Sequence, residues 1–575
     1  MRVRTALAPF IAATACLLSA VAVAPAGAQA AVSGPETRPF EPGDDAASTA
    51  LIPPRSNKPT HVPSKDVPRP ATLPVSADPA AKRAEGLNFQ DQRTSNNGNS
   101  FSLEPPDQAL CVSDTEVIEG VNNVFATYTK AGVRTSGPQS YAPFWTGQAE
   151  IDRSGTTPVF GPFLADPKCY WDPGVQRFFM TELQLGTDPQ TGDFNGDSFE
   201  RIAVSKTATP TTNVSDWYLY SINVRNDGTQ GTPSHPGCPC LGDQPLIGAD
   251  RYGFFVSTNE FSIDGPEFNG TQVYAMDKAA LTTGVLRLQR IESVNPPLAE
   301  GVAYSVQPAT SPTAAEWSSA DNGTEYALSA LEFTGGFDNR IASWAFTNTQ
   351  SLTSTPDVHV AHSIVSSEVY GAPPKALQPP GPYPLGQSLK DKLPPLNTND
   401  DRMNQTVFSG GKLWSGLNTA VKTANGPTTT GIAYFVVNPT AAGGPRMANQ
   451  GYVAVNASTV MFPSIGVAAG ASKAAMVFTL VGPGNYPSVG YVRLTSSGAT
   501  SGPVNVYAAG TKPADGFTGY PQEDPVDNGI ERWGDYSAAV ADADGTIWTA
   551  GEYIPGTFGY PPFLANWGTA IGTVG

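Results

Sequence analysis

The sequence predicts an all-β chain folded as a seven-bladed β-propeller, and three observations carry that reading. Short runs of Val, Ile, Phe, Tyr and Trp alternate with Gly, Pro, Asn and Asp turns from about residue 85 onward. Pieces with helical composition, such as Asp277-Lys-Ala-Ala-Leu281, are about one turn long. Seven similar strand starts recur with a period of about 70 residues, which suits a blade with long loops.

The starts are Asp107-Gln-Ala-Leu-Cys111, Asp166-Pro-Lys-Cys-Tyr170, Asp243-Gln-Pro-Leu-Ile247, Val306-Gln-Pro-Ala309, Asp401-Arg-Met-Asn404, Phe462-Pro-Ser-Ile465 and Gly534-Asp-Tyr-Ser537. Each is followed by a turn and an apolar or aromatic strand, among them Arg177-Phe-Phe-Met180, Gly253-Phe-Phe-Val256, Ala475-Met-Val-Phe478 and Thr546-Ile-Trp548. A four-stranded blade has two apolar faces and cannot bury both alone, so blades must stack around an axis. After Trp533 only three strands can be counted. The expectation is that a segment within Gly86–Leu103 supplies the fourth and latches the ring.

The N-terminus reads as an export signal. Arg2 and Arg4 precede an apolar run from about Leu7 to Ala24, and Ala28-Gln-Ala30 is a small-x-small cleavage site. The expected division is a signal peptide over 1–30, a Pro-rich disordered spacer over 31–84 and a propeller over 85–575. Cys16 reads as part of the apolar run rather than as a lipidation site. The spacer has a Pro every few residues and no apolar periodicity, so it buries too little surface to order itself. His61 lies within it as a solvated side chain.

Composition narrows the partners. Charged residues are 15% of the chain and the formal net charge is −17, with no basic run to neutralise phosphates, which argues against nucleic acid. No later apolar stretch approaches the length of a membrane span. The expected protein is secreted, extracellular and monomeric, with a glycan or a surface protein as ligand.

Four cysteines follow the leader: Cys111, Cys169, Cys238 and Cys240. In an exported chain they are expected as disulfides. Cys111 and Cys169 occupy equivalent places in neighbouring repeats, which favours Cys111–Cys169 with Cys238–Cys240, the latter closing a very small ring. A crossed pairing of 111 and 169 with 238 and 240 remains the alternative. A Cys-x-Cys metal site would need further ligands, and the chain has four His.

Pro105-Pro-Asp-Gln-Ala-Leu-Cys-Val-Ser113 with Glu119-Gly-Val-Asn-Asn-Val-Phe-Ala-Thr-Tyr128 resembles a group of exported bacterial propeller-like proteins. The likeness continues through Asp166-Pro-Lys-Cys-Tyr-Trp-Asp-Pro173, Leu241-Gly-Asp-Gln-Pro-Leu-Ile-Gly-Ala-Asp250 and Arg532-Trp-Gly-Asp-Tyr-Ser537. It implies export and a propeller-like body, and no activity. The Pro-rich stretch at about Gly371–Asn399 departs from that pattern and reads as an insertion between blades.

Candidate chemistry lies where inner strands begin, since those residues converge on the axis. Asp107, Asp166, Asp243, Asp401 and Asp535 all stand at such starts. A ring of carboxylates can serve a glycosidase, with one acid ionised and one protonated. It can equally hold a cation, or each Asp can bond its own turn or cap the neighbouring strand. Arg402 and Trp533 stand beside them as candidates for ligand binding. Asp193, Asn195 and Asp197 have oxygen ligands at a spacing that could hold calcium. The turn Asp542–Trp548 resembles a sialidase Asp-box with Ala543 in place of the Asp, which bears on fold rather than catalysis. There is no G-x-S-x-G elbow, H-E-x-x-H or phosphate-binding loop, so carboxylates are the one route to enzymology. The leading reading is a binding or scaffold propeller. Its rival is a glycoside hydrolase with channel-facing carboxylates.

Overall fold

A computed structural model describes residues 37–38, 67–292, 298–331, 335–424, 426–524, 529–557, 559, 561 and 563–574. The leader, Cys16 and His61 lie outside the described residues. Among those described, no helix is long and apolar enough to cross a membrane.

The body is all-β and built of consecutive antiparallel sheets. Residues 109–140, 163–223 and 240–291 form three four-stranded sheets in chain order. The next two groups, 307–371 and 406–453, join into one eight-stranded sheet, because their first strands pair in parallel at Ala309↔Thr406 and Thr310↔Val407. The sixth group, 459–508, has four strands, and the seventh has three, at Ala538–Ala541, Ile547–Tyr553 and Gly568–Val574. Six of the seven expected starts lead directly into the first strand of a group. At Asp401 the strand begins only at Thr406.

Apolar side chains fill the space between successive groups. Phe179, Ile202 and Val204 of the second group meet Phe254, Val256 and Tyr274 of the third. Trp414, Ile432 and Val436 of the fifth pack with Ile465, Met476 and Phe478 of the sixth. The first and last groups also share a core, in which Leu110, Val117 and Ala126 lie with Trp548, Ala550 and Ile571. Strand faces that would each be exposed alone are buried by this stacking.

Two N-terminal strands join these sheets, and both correct the expected boundaries. Lys82–Asn88 pairs antiparallel with Gly568–Val574 as the fourth strand of the last sheet. This strand starts at Lys82 and overlaps the window expected for the latch, Gly86–Leu103, at residues 86–88 alone. Val75–Ala77, inside the stretch read as disordered spacer, pairs in parallel with Val504–Val506 at the outer edge of the sixth group. An edge strand is held by main-chain hydrogen bonds, so it needs no apolar periodicity and leaves little trace in sequence.

The insertion near 371–399 is ordered. Ala376 and Leu396 exchange backbone bonds and a short helix runs over Pro384–Leu389. Ala376, Leu385 and Leu396 pack with Phe517, Tyr520 and Trp533.

Candidate functional site: the axial carboxylates and the cavity beyond them

In most groups the backbone makes the same local move where the first strand begins. Asp107, Asp166, Gln244, Ser305, Phe462 and Gly534 all have positive φ, between 46° and 61°. Asp and Gly tolerate that left-handed region more readily than other residues, which explains their presence at several starts. At Ala165/Lys168, Asp243/Leu246 and Met461/Ser464 the strand register also slips. The turn leaves the N–H of the left-handed residue, or of the next one, outside its own sheet.

Those N–H groups are met by side chains of the neighbouring group. The Asp166 N–H donates to Asn122 Oδ1 at 2.8 Å, and the Gln244 N–H to Asp166 Oδ2 at 3.0 Å. The Ser305 N–H donates to Asn259 Oδ1 at 2.8 Å, and the Phe462 N–H to Asn418 Oδ1 at 2.7 Å. The Asp535 N–H donates to Asp107 Oδ1 at 2.7 Å, tying the last group to the first. Between the sixth and seventh groups, Trp533 Nε1–H donates to Thr479 Oγ1 at 3.0 Å. Between the fourth and fifth, the parallel strand pair supplies the tie instead.

Of the five candidate acids, Asp107, Asp166 and Asp535 come together, each offering an oxygen within 4.8 Å of the others. All three are buried. Asp107 Oδ2 also accepts from Asn122 Nδ2 at 2.7 Å. Asp535 accepts from Asn399 Nδ2 at 2.7 Å and from Arg532 Nη2 at 3.2 Å. Asp243 and Asp401 are buried too but fall outside this trio. Asp107 and Asp166 act as the third use weighed for these acids has it, capping the start of a neighbouring strand. Asp107 and Asp166 fasten neighbouring sheets, because the left-handed start turns an N–H toward the adjacent group.

The other candidates are placed as follows. Arg402 is buried and forked onto Asp400, with Nε–Oδ1 at 2.8 Å and Nη2–Oδ2 at 2.9 Å, and it reaches Gln244 Oε1 at 2.8 Å. Trp533 is 1% exposed and inside the core, so it presents no face to a ligand. In the 193–197 loop, Asp197 pairs with Arg225 Nη1 at 2.7 Å, and Asn195 Oδ1 accepts the Asp197 N–H at 3.0 Å. That loop turns its Asp197 carboxylate to a guanidinium. Cys111 pairs with Cys169 and Cys238 with Cys240, at Cα separations of 5.3 and 4.4 Å.

A second carboxyl cluster went unnoticed in the sequence. Glu104 Oε2 accepts from the Thr518 N–H at 3.1 Å and from its hydroxyl at 3.0 Å. Glu531 Oε1 accepts from the Gly516 N–H at 2.8 Å, and Asp515 accepts from the N–H groups of Leu385 and Gly386. Burial raises the Glu104 carboxyl to about 8, against partial relief from Thr518. Burial, then the Glu104 charge, pushes Glu531 well above the usual range. The fasteners Asn122, Asn259 and Asn418 were missed as well. Their one signal was an amide within, or just after, the second strand of a group.

The first strands run from these carboxylates to a cavity of about 160 Å³ at their other ends. Val112, Tyr170, Trp171, Val407, Val467 and Val540 line it, with Gln176, Asp114 and Gln405 as polar members. Trp171 is half-buried, while Gln176 and Asp114 are exposed at the rim.

No family model matches the chain, and no curated protein does. Among solved structures it is similar to an endo-arabinase from Bacteroides thetaiotaomicron, at 9% identity over 71% of this chain and 93% of that one, with a TM-score of 0.26. It is also similar to Trypanosoma rangeli sialidase, at 10% identity over 73% and 55%, TM-score 0.33. A third is an apocarotenoid oxygenase from Synechocystis, at 10% identity over 70% of each chain, TM-score 0.32. Likenesses this distant carry no argument about chemistry or substrate.

Proposed function

We propose that the chain is an extracellular seven-bladed propeller, closed by the Lys82–Asn88 strand, that binds a glycan or other cell-surface component without turning it over. The observation that carries this reading is the engagement of the axial acids. Both Asp107 oxygens and Asp166 Oδ2 accept hydrogen bonds within the ring, and all five candidate Asp residues are buried. A glycosidase needs two carboxyls facing a sugar across an open cleft, one of them free to take up and release a proton. Acids that tie sheets together are poorly placed for that.

The cavity at the far end of the channel is the better seat for a ligand. Trp171 offers an aromatic face to the C–H face of a sugar ring, and Gln176 and Asp114 offer hydrogen-bonding groups at the rim. Its volume suits a single terminal sugar unit rather than a long chain.

Screening the protein against a glycan array and against cell-wall preparations tests the reading. Binding without release of sugar is expected, weakened at least about tenfold by Trp171→Ala. Turnover of a glycan that stops with Asp107→Asn or Asp166→Asn would overturn it in favour of a glycoside hydrolase.

A further inference from the structure

The Cys238-Pro239-Cys240 pair sits in surroundings unlike those of the other disulfide. Cys111–Cys169 lies in an apolar cluster with Ile118, Phe125, Phe178 and Met180. Cys238 and Cys240 instead lie beside ionisable and amide groups, in the loop before the third sheet. Cys240 is buried as the first residue of its strand, whereas Cys238 is partly exposed, following Pro236 and Gly237, which are exposed. The bond closes across a single intervening residue, so it restrains the unfolded chain far less than a long-loop bridge does. Stability alone gives it little reason to exist.

Three groups converge on the sulfurs. Glu260 sits on the facing strand, opposite Gly242, and its Oε1 lies 4.0 Å from Cys238 Sγ. One Glu260 carboxylate oxygen and both sulfurs fall within 4.8 Å of one another. His235 Nδ1 is 2.7 Å from Glu260 Oε1, and its Nε2 is 3.6 Å from Glu292 Oε2. Asn269 Nδ2 lies 3.6 Å from Cys240 Sγ and 3.8 Å from Cys238 Sγ, placing an amide donor at both sulfurs. The hydrogen bond to Glu260 raises the His235 basicity above its ordinary value, which favours a proton held between the two.

We propose that Cys238 and Cys240 form a redox-active pair that exchanges with dithiols of extracellular proteins or peptides. A substrate thiolate attacks the more exposed sulfur, Cys238 Sγ. The Cys238–Cys240 bond breaks, a mixed disulfide forms at Cys238, and Cys240 leaves as a thiolate steadied by the Asn269 amide. The proton given up by the substrate thiol passes through the Glu260–His235 pair to Cys240. A second substrate thiol then attacks the mixed disulfide, releasing Cys238 as a thiol. In sum two substrate thiols become one disulfide, and the Cys238–Cys240 disulfide becomes two thiols. The oxidant is the pair itself, spent in a single stoichiometric exchange.

The test uses the full-length protein and a synthetic peptide carrying two cysteines. After brief incubation, free thiols are alkylated and the labelled residues mapped by mass spectrometry. Labelling at Cys238 and Cys240 at least about tenfold faster than at Cys111 and Cys169 is expected, with one peptide disulfide formed per protein labelled. Cys240→Ser, left with a lone Cys238 thiol and no disulfide to give, is expected, unlike the unaltered protein, to leave the peptide dithiol unoxidised. Mapping on the unaltered protein makes the result independent of how the variant folds. Labelling of Cys111 and Cys169 first, or no oxidation of the peptide, would overturn the proposal.

Discussion

Replacing Asp107 by asparagine separates a fastener from a catalytic acid. The native carboxylate accepts two hydrogen bonds at 2.7 Å, from the Asp535 N–H and from Asn122 Nδ2, in a site with no exposure to water. Hydrogen bonds to a charged group contribute about 1.5–3 kcal/mol each. Asparagine offers one carbonyl oxygen to two donors and turns its own N–H₂ toward the second. It therefore keeps one bond and leaves one buried donor unpaired. Its backbone accepts the φ of 50° at this position, so no conformational cost is added. The expected loss is about 2–4 kcal/mol. Asp107→Ala loses both bonds and adds about 1 kcal/mol for the left-handed backbone. Urea titration followed by tryptophan fluorescence reads these as successive drops in midpoint at unchanged slope. Residues kept for catalysis are commonly neutral or costly to stability, and removing them commonly leaves the fold as stable or more so. A midpoint that holds or rises in Asp107→Asn would refute the fastening argument.

Further expectations follow from other parts of the structure. The Glu104 carboxyl titrates at about 8 in the folded protein against an ordinary value of 4.5, so the fold binds a proton that the unfolded chain releases. That contribution, worth roughly 5 kcal/mol at most, is fully present below about pH 4.5 and is lost as pH rises through 8. Glu104→Gln is therefore expected to flatten the decline in thermal midpoint between pH 6 and 9, and an unchanged slope would count against a buried neutral Glu104. The Lys278–Asp172 pair is buried at 2.8 Å with Lys278 over the Trp317 ring, so Lys278→Met alone is expected to cost about 3–5 kcal/mol in chemical denaturation. Adding Asp172→Leu should recover much of that loss, because the stranded charge is removed. Deleting residues up to Ala77 removes a three-residue edge strand and is expected to lower the thermal midpoint slightly, whereas deletion through Asn88 opens the last sheet and should yield aggregated protein. Equal solubility of the two truncations would show that Lys82–Asn88 does not latch the ring.

The alternation of apolar and polar residues and the turn chemistry were legible because both are local. Phe254-Phe-Val256 reads as a strand and Asp544-Gly545 as a turn in isolation, and each unit repeats the pattern closely enough to be counted. The pairing of Cys111 with Cys169 followed from their equivalent places in that repeat. The outer strand Val75–Ala77 was not legible, since its hydrogen bonds run through the backbone and its side chains are exposed. The role of the Asp residues was half legible. Their positions at the strand starts were visible, but their partners were not.

The sequence by itself determined the class of the fold and which acids stand at strand starts, because strand period and turn chemistry depend on neighbours along the chain. Only the tertiary structure decided what those acids do. The N–H that Asp107 accepts belongs to Asp535, at the other end of the chain, and the one that Asn122 accepts belongs to Asp166 in the next sheet. An acid standing at an axis is a nucleophile, a ligand or a fastener according to which donor faces it. That donor is supplied by a neighbouring sheet, which the stacking of the sheets brings into place.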